Sequence, residues 1–369
     1  METVEFIKAN GLKALTEQLA IKVVHHPSLP LLVLNYNQID SPKTNKIVKQ
    51  CRGLVLEMNT WKPILRGFDR FFNWNEVCEE MPLFNWSDCS AVAKEDGTFT
   101  NLGLYNGQWI MSTRGSFAEG QVGSIGLMTW EQLFCTAMGW NDLQDCHLPK
   151  REDACWNFEL CSLQNKIIRM YTHPCAILTG MRYGENLEYQ VTNKELDILA
   201  NEYSLQRPET FYLHSIQEVE AFLREKELTD QTFEGIVICD NEFHRWKCKS
   251  STWLALNHMK GESGFTAKNV IPMILSGDTS ELIAYFPEVE EICNEMRTKI
   301  DEAYAELRDL FYATREIESQ KDFALEIRHS PFSALLFTLR KEMGNEAGQT
   351  DLRVAWRHSA ELIVKKLFK

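Results

Sequence analysis

The stretch AVAKEDG, residues 91–97, does more than any other part of the sequence to indicate the fold. A short apolar run typical of a strand ends at Lys94, and Gly97 favours a tight turn just after it. A lysine in that place suits attack of its amine on the α-phosphate of a nucleotide, which gives a covalent lysyl-nucleotide. Because the amine must be unprotonated to attack, we predict that burial and nearby positive charge lower the pKa of Lys94. A solvated surface turn has the same pattern, so the rest of the chain must decide whether Lys94 is catalytic.

The composition limits the kinds of protein that this chain can be. Its 369 residues are enough for two domains, each with its own core. The formal net charge of −13 argues against a protein that coats nucleic acid, but it leaves room for a local basic pocket. The 11 cysteines include no Cys-x-x-Cys pair, which predicts reduced thiols, no structural zinc and a cytoplasmic location. No apolar run approaches the roughly 20 residues of a membrane span, so we expect no membrane partner.

Hydrophobic patterning divides the chain into two regions. A helix is predicted at 12–21 and a strand at 31–36, and short alternating runs follow from 51 to 250. The clearest predicted strands are at 53–57, 99–105, 109–112, 156–160 and 235–238, with helical insertions near 117–139 and 215–227. Past about residue 260 the apolar residues keep helical spacing. We therefore predict an α+β fold, with an antiparallel-sheet domain at 1–260 and an all-α domain at 261–369.

Several short polar motifs accompany the lysine in a definite order. They are CRG at 51–53, RFFN at 70–73, TRGS at 113–116, FE at 158–159, NKIIR at 165–169, FEG at 233–235 and WKCKS at 246–250. Glu159 would be costly to bury without a partner. Lys247 and Lys249 are two residues apart, so on a strand both point to one face and suit a triphosphate. Taken singly, each motif also fits a solvated strand or a surface ion pair.

Together these motifs resemble the covalent nucleotidyltransferase superfamily, and within it the bacteriophage-type RNA ligase 1 family, over about residues 30–255. The resemblance implies an ATP-dependent enzyme that joins RNA ends in three steps. Lys94 takes AMP from ATP, AMP passes to an RNA 5′-phosphate, and an RNA 3′-hydroxyl then displaces AMP. The implied cofactors are ATP and Mg²⁺, with Mn²⁺ as a substitute.

The resemblance also implies roles for particular residues, with Lys94 as the catalytic nucleophile. The implied ATP-binding residues are Tyr36, Arg52, Arg70, Glu95, Glu159, Lys247 and Lys249. The implied metal ligands are Asp96, Glu159 and Glu234, and the implied contacts to RNA phosphates are Arg114 and Lys166. Arg70 and Arg114 stand where the phage enzymes carry lysine, which keeps the charge but changes the donor geometry.

Two rival functions follow from the same motifs. DNA ligases and capping guanylyltransferases usually carry a β-rich barrel after the catalytic domain, and the helical pattern past residue 260 disfavours them. A non-catalytic RNA-end-binding protein of the same fold is disfavoured by the complete set of candidate residues. The expected partners are RNA 5′-phosphate and 3′-hydroxyl ends, including those of nicked tRNA, and the expected form is a monomer in the cytoplasm, in particular that of a virus-infected cell.

The end of the chain has an unusual charge for so acidic a protein. Residues 340–369 carry seven basic and four acidic side chains. We therefore predict that this end faces the RNA, with a solvated helix of mixed charge as the alternative.

Overall fold

The computed structural model describes residues 1–38, 40–74, 84–122, 128–260, 264–276, 279, 282–283, 286–344, 352, 356 and 359. The chain forms two compact units, Met1–Leu254 and Ala255–Lys369. The first unit contains three sheets, and the second is built from helices in its described part.

The first sheet has four antiparallel strands in chain order. They are β1 (Ile21–His25), β2 (Leu31–Tyr36), β3 (Arg52–Glu57) and β4 (Pro63–Leu65). Three helices cover one face, namely α1 (Glu2–Asn10), α2 (Leu12–Leu19) and α3 (Lys46–Gln50). Leu32 and Leu34 pack towards these helices, whereas Leu31 and Val33 pack on the other side against Cys155. Because the first four residues of β2, 31–34, are buried on both faces of the sheet, they form an unbroken apolar run.

The second sheet has five antiparallel strands in the order β11-β10-β9-β7-β8. They are β7 (Thr98–Tyr105), β8 (Gln108–Thr113), β9 (Ala154–Cys161), β10 (Cys175–Tyr183) and β11 (Tyr189–Gln190). Helices α4 (Trp130–Met138) and α5 (Asn193–Tyr203) cover one face. Phe158 and Leu160 belong to that core, so strand alternation turns the intervening Glu159 to the other face.

The third sheet has five strands in the order β12-β6-β13-β14-β5. They are β5 (Phe72–Asn73), β6 (Ser90–Ala93), β12 (Thr210–Phe211), β13 (Gly235–Cys239) and β14 (Arg245–Lys249). All pairs are antiparallel except β14 with β5, where Trp246 lies opposite Phe72. Helix α6 (Ile216–Thr229) covers this sheet through Val219 and Leu223. The AVAKEDG stretch leaves the third sheet at β6 and enters the second sheet at β7, so the turn at 94–97 joins the two sheets.

The second unit is helical in its described residues. Helix α7 (Ser251–Lys260) crosses the division between the units, and α8 (Ala267–Ser276) follows. The remaining helices are Glu290–Thr314, Gln320–Ile327 and Ser333–Gly344. The apolar residues at helical spacing in helix Glu290–Thr314 are core packing, because Met296, Ile300, Ala303 and Leu307 are buried in one cluster with residues of the neighbouring helices. None of the described helices is both long and apolar enough to span a lipid bilayer.

The predicted α+β class is confirmed, and most predicted strands begin and end within one or two residues of the observed ones. The helix predicted at 117–139 is too long, because helix α4 begins only after the capping box of Thr129 and Gln132. Residues 123–127 of that range, and most of the basic segment 340–369, lie outside the described residues. Helix α5 was not predicted, although its capping box of Thr192 and Glu195 is a sequence signal for a helix start.

Candidate active site

Lys94 lies at the start of the turn between the second and third sheets, and its side chain meets a buried carboxylate. Its backbone N–H donates to Gly235 O at 2.9 Å, which fixes the turn against β13. The Nζ atom of Lys94 lies 2.8 Å from Glu234 Oε2, and Nζ of Lys249 lies 2.9 Å from Glu234 Oε1. The side chain of Glu234 is 4% exposed and each lysine side chain is 21% exposed. One carboxylate is therefore shared by two ammonium groups.

The prediction that the site lowers the pKa of Lys94 is wrong, because the surrounding side chains raise that pKa. Burial disfavours the charged amine, but the nearby carboxylates of Glu234, Glu159 and Asp96 outweigh burial and raise the pKa of Lys94. Lys247 and Lys249 are the cations expected to oppose this effect, and the ammonium group of Lys249 is itself bound to the second oxygen of Glu234. In this arrangement Lys94 is held as an ammonium group.

The lysine with a strongly lowered pKa is Lys247. Burial and the positive charges of Arg52 and Lys94 lower its pKa from 10.5 to about 6. Its Nζ atom lies 4.6 Å from the centre of the Phe71 ring, and no carboxylate of the described residues is within ion-pair distance of it. Lys247 and Lys249 occupy alternate positions of β14, so they lie on one face as predicted.

Three arginines from separate motifs converge on the same side of the first unit. The guanidinium groups of Arg70 and Arg114 lie 5.7 and 5.4 Å from the centre of the Tyr36 ring, and that of Arg52 lies 4.7 Å from the Phe99 ring. Burial, then the charge of Arg114, lower the pKa of Arg52 to about 10. Buried nitrogen atoms in all three lack a hydrogen-bond partner among the described residues. Such a concentration of unneutralised donors suits a bound anion.

Gly53 makes this convergence possible. Its φ angle is +75°, and a Cβ atom there would lie 2.9 Å from the Cα atom of Arg114. Only glycine combines that backbone conformation with so close an approach. The CRG and TRGS motifs therefore meet through their backbones.

Glu159 lies on β9 between Phe99 of β7 and Ile177 of β10. Burial raises the pKa of Glu159 to about 7, although the charges of Lys94 and Arg52 oppose that rise. The carboxyl group therefore changes its charge near neutral pH, where it can hold or release a proton.

Asp96 and Glu95 are tied to the loop between β9 and β10. Asp96 is 2% exposed, and its Oδ2 atom accepts hydrogen bonds from the backbone N–H groups of Ile168 and Arg169, both at 2.7 Å. The hydroxyl of Tyr171 donates to Glu95 Oε2 at 3.0 Å and accepts from the N–H of Asp96 at 3.2 Å. Sequence analysis missed Tyr171, because nothing in the sequence of this loop indicates which residue it contacts.

The structure brings together most of the predicted residues, but it does not show a complete metal site. Among the residues that the structure describes, no three side chains of the His, Cys, Asp or Glu type lie close enough together to hold a metal ion. Asp96 Oδ1 is buried and has no hydrogen-bond partner within the described part of the chain, so this carboxylate oxygen could accept a further ligand. Lys166 lies in the loop between β9 and β10, and its role towards RNA stays a prediction.

Comparisons with known proteins point to one family. A family model described as RNA ligase matches residues 50–254, more than half of the chain. The protein named bifunctional polynucleotide kinase/RNA ligase of Autographa californica nuclear polyhedrosis virus is 26% identical over 299 residues, which are 76% of this chain and 41% of that protein. The chain thus spans about two fifths of the length of that curated relative.

Among solved structures, an archaeal ATP-dependent RNA ligase in its form 1 is similar in fold. It matches 100% of this chain and 89% of its own chain, with a TM-score of 0.50 and 15% identity. At that identity the similarity concerns the fold alone.

Proposed function

The chain belongs to the RNA ligase family, and from this we propose that it joins RNA ends in an ATP-dependent reaction that begins at Lys94. The observation that carries the proposal is the position of the Lys94 amine. It lies 2.8 Å from Glu234 in a pocket where Lys249 and Lys247 share one strand face. The positive charges of Arg52 and Lys249 near this amine suit attack on a nucleotide phosphate, because they stabilise the negative charge of the phosphates.

In the first step, the Nζ atom of Lys94 forms a bond to the α-phosphorus of ATP, and the bond from that phosphorus to the bridging oxygen of pyrophosphate breaks. The ammonium proton must leave first. Glu234 Oε2 is the nearest acceptor, and Glu159, with a pKa of about 7, is a second carboxylate that can hold a proton at neutral pH. Arg52, Lys247 and Lys249 bind the phosphate oxygens.

The donor chemistry of the site is compatible with a divalent metal ion that is bound jointly with phosphates. Mg²⁺ usually takes one or two carboxylates together with substrate phosphates and water, so three converging protein ligands are not required. Glu234 and Glu159 would hold the ion, and the single unpartnered oxygen of Asp96 is a third candidate. Such an ion supplies charge neutralisation on the phosphates, and Mn²⁺ would serve in the same way.

We propose that AMP then passes to an RNA 5′-phosphate and that an RNA 3′-hydroxyl displaces it, which seals the strand. The viral relative is named for a polynucleotide kinase as well as an RNA ligase, and a kinase product with a 5′-phosphate is the end that this second step needs. This supports a role in RNA repair, with nicked tRNA as one candidate substrate. Arg114 and Lys166 are the proposed contacts to RNA phosphates.

Two rival functions give different results in the same assay. A capping guanylyltransferase would take GTP, and a non-catalytic RNA-end-binding protein would take neither nucleotide. In the described residues past 250 every regular element is a helix, so the structure gives no support to the barrel that a DNA ligase or capping enzyme usually carries.

The test is incubation with labelled ATP or GTP and Mg²⁺, followed by denaturing electrophoresis. We expect label on the protein from ATP alone, and none after Lys94→Ala. The same variant should still seal some pre-adenylated RNA, because that substrate does not need the first step. A Lys94→Ala protein that becomes covalently labelled would refute the assignment of the nucleophile.

We also propose that the protein acts as a monomer in the cytoplasm of a virus-infected cell. The ten cysteines of the described residues are all free thiols, which fits a reducing compartment. Light scattering coupled to gel filtration tests the monomer, and a dimer mass would contradict it.

A further inference from the structure

Tyr171 occupies a central position beneath the turn that carries Lys94. It belongs to the loop between β9 and β10, far from Lys94 in the sequence. Its hydroxyl donates to Glu95 Oε2 at 3.0 Å and accepts from the backbone N–H of Asp96 at 3.2 Å. A tyrosine hydroxyl has one proton to donate, and here that proton goes to a carboxylate. The phenol therefore links the two residues that directly follow Lys94.

The same loop binds the turn at two further points. The N–H groups of Ile168 and Arg169 donate to Asp96 Oδ2, both at 2.7 Å. The Nη1 atom of Arg169 lies 3.5 Å from Oδ2 of Asp230, which directly follows helix α6 and precedes Glu234 by four residues. One loop thus contacts both the segment with Lys94 and the segment that leads to its carboxylate partner.

The turn has little room to move on the opposite side. A Cβ atom at Gly97 would lie 2.5 Å from Leu160 O and 2.7 Å from Cys161 Sγ, so the turn is pressed against β9. The N–H of Lys94 is bound to Gly235 O at 2.9 Å. Between these fixed ends, the segment that follows Lys94 is held by the hydrogen bonds to Asp96 Oδ2 and by the hydroxyl of Tyr171.

We propose that Tyr171 is a positioning residue, whose hydroxyl holds the Glu95-Asp96 turn so that the Lys94 amine remains directed at the nucleotide phosphate. This inference rests on the proposed function, since it takes Lys94 as the nucleophile. Tyr171 itself touches neither Lys94 Nζ nor any reacting atom; it acts through the turn.

The test is Tyr171→Phe, which keeps the ring and removes only the hydroxyl. We expect the rate of self-adenylation at saturating ATP to fall by about tenfold or more, the scale expected when a reacting group is slightly misplaced. The KM for ATP should stay within about twofold, because the phosphate-binding arginines and lysines are unchanged. Tyr212→Phe, at a residue that is 87% exposed, is the matched control and should change nothing.

A second variant separates positioning from folding. In a Glu95→Gln background, Tyr171→Phe should cost less than it does alone, because part of its effect passes through the carboxylate. Sealing of pre-adenylated RNA should be retained in Tyr171→Phe. An unchanged rate of self-adenylation would overturn the inference, and so would equal losses of self-adenylation and of sealing with a lower melting temperature. If the natural protein does not label itself with ATP at all, the proposed function fails instead.

Discussion

Replacing Lys247 by methionine should make the protein more stable while it removes activity. The pKa of Lys247 is lowered from 10.5 to about 6 by burial and then by neighbouring cations. At pH 7 this lowering reduces the free energy of unfolding by at most about 5 kcal/mol. Methionine has a similar length and no charge, so Lys247→Met should raise the free energy of unfolding by about 1–4 kcal/mol.

The dependence on pH identifies the cause. Because the pKa of Lys247 is lower in the folded protein than in the unfolded chain, the unfolded chain binds more protons between about pH 6 and 10.5. The stability of the natural protein therefore gains from this group as the pH rises, by at most about 1.4 kcal/mol per pH unit. The advantage of Lys247→Met should be greatest near pH 6 and should have nearly gone by pH 10.

Urea unfolding followed by tryptophan fluorescence, at several pH values from 6 to 9, measures this difference. Nine of the ten tryptophans lie within residues 1–254, so the signal reports mainly on the first unit. Lys8→Met, at an exposed lysine of helix α1, is the control and should show no such trend. A difference between Lys247→Met and the natural protein that stays constant over this pH range would refute the reasoning, and so would a loss of stability at pH 7.

Three other predictions concern the site, the strand behind it and the second unit. Glu234→Ala and Lys249→Ala should each slow self-adenylation at least about a hundredfold, a barrier change of about 2.7 kcal/mol, and a correctly folded variant at full speed would remove that residue from the site. Gly235→Ala should lower the free energy of unfolding by about 3 kcal/mol or more, because Gly235 has a φ angle of +141° and a Cβ atom there would lie 2.2 Å from Cys248 O. An unchanged melting temperature would contradict this prediction. A chain cut after residue 262 should keep Lys94 adenylation and lose joining of structured RNA more than of short single strands, whereas equal losses on both RNAs would mean that the second unit only supports the fold.

Local sequence patterns were sufficient to predict most of the strands. Alternating or apolar runs bounded by polar turns predicted strands such as β3, β7 and β13, because side chains on a strand alternate between two faces. Lys94, Glu234, Lys247 and Lys249 could be assigned to one pocket only through the resemblance, since nothing local brings β6 beside β13 and β14. Their proximity in the structure is consistent with that assignment.

Features that depend on the distances between segments could not be predicted. The charge of Lys94 was judged from its expected chemistry, but its pKa follows from which oxygen of Glu234 it meets and from the partner of Lys249. The contact of Tyr171 with the turn depends on how a loop of irregular structure folds back, and its sequence carries no periodic signal.

The opposite protonation states of Lys94 and Lys247 determine which of the two lysines a chemical label modifies. An electrophilic reagent reacts with an unprotonated amine, and at pH 7 that form is dominant for Lys247, with a pKa of about 6. Lys94, whose pKa is raised beside Glu234, is almost entirely protonated there. An amine-directed probe or covalent inhibitor applied to the free protein would therefore modify Lys247 before Lys94, and if Lys247 binds phosphate as proposed, this would abolish activity. Inactivation by such a reagent would then indicate that Lys247 had been modified. Labelling of Lys94 would require the nucleotide itself.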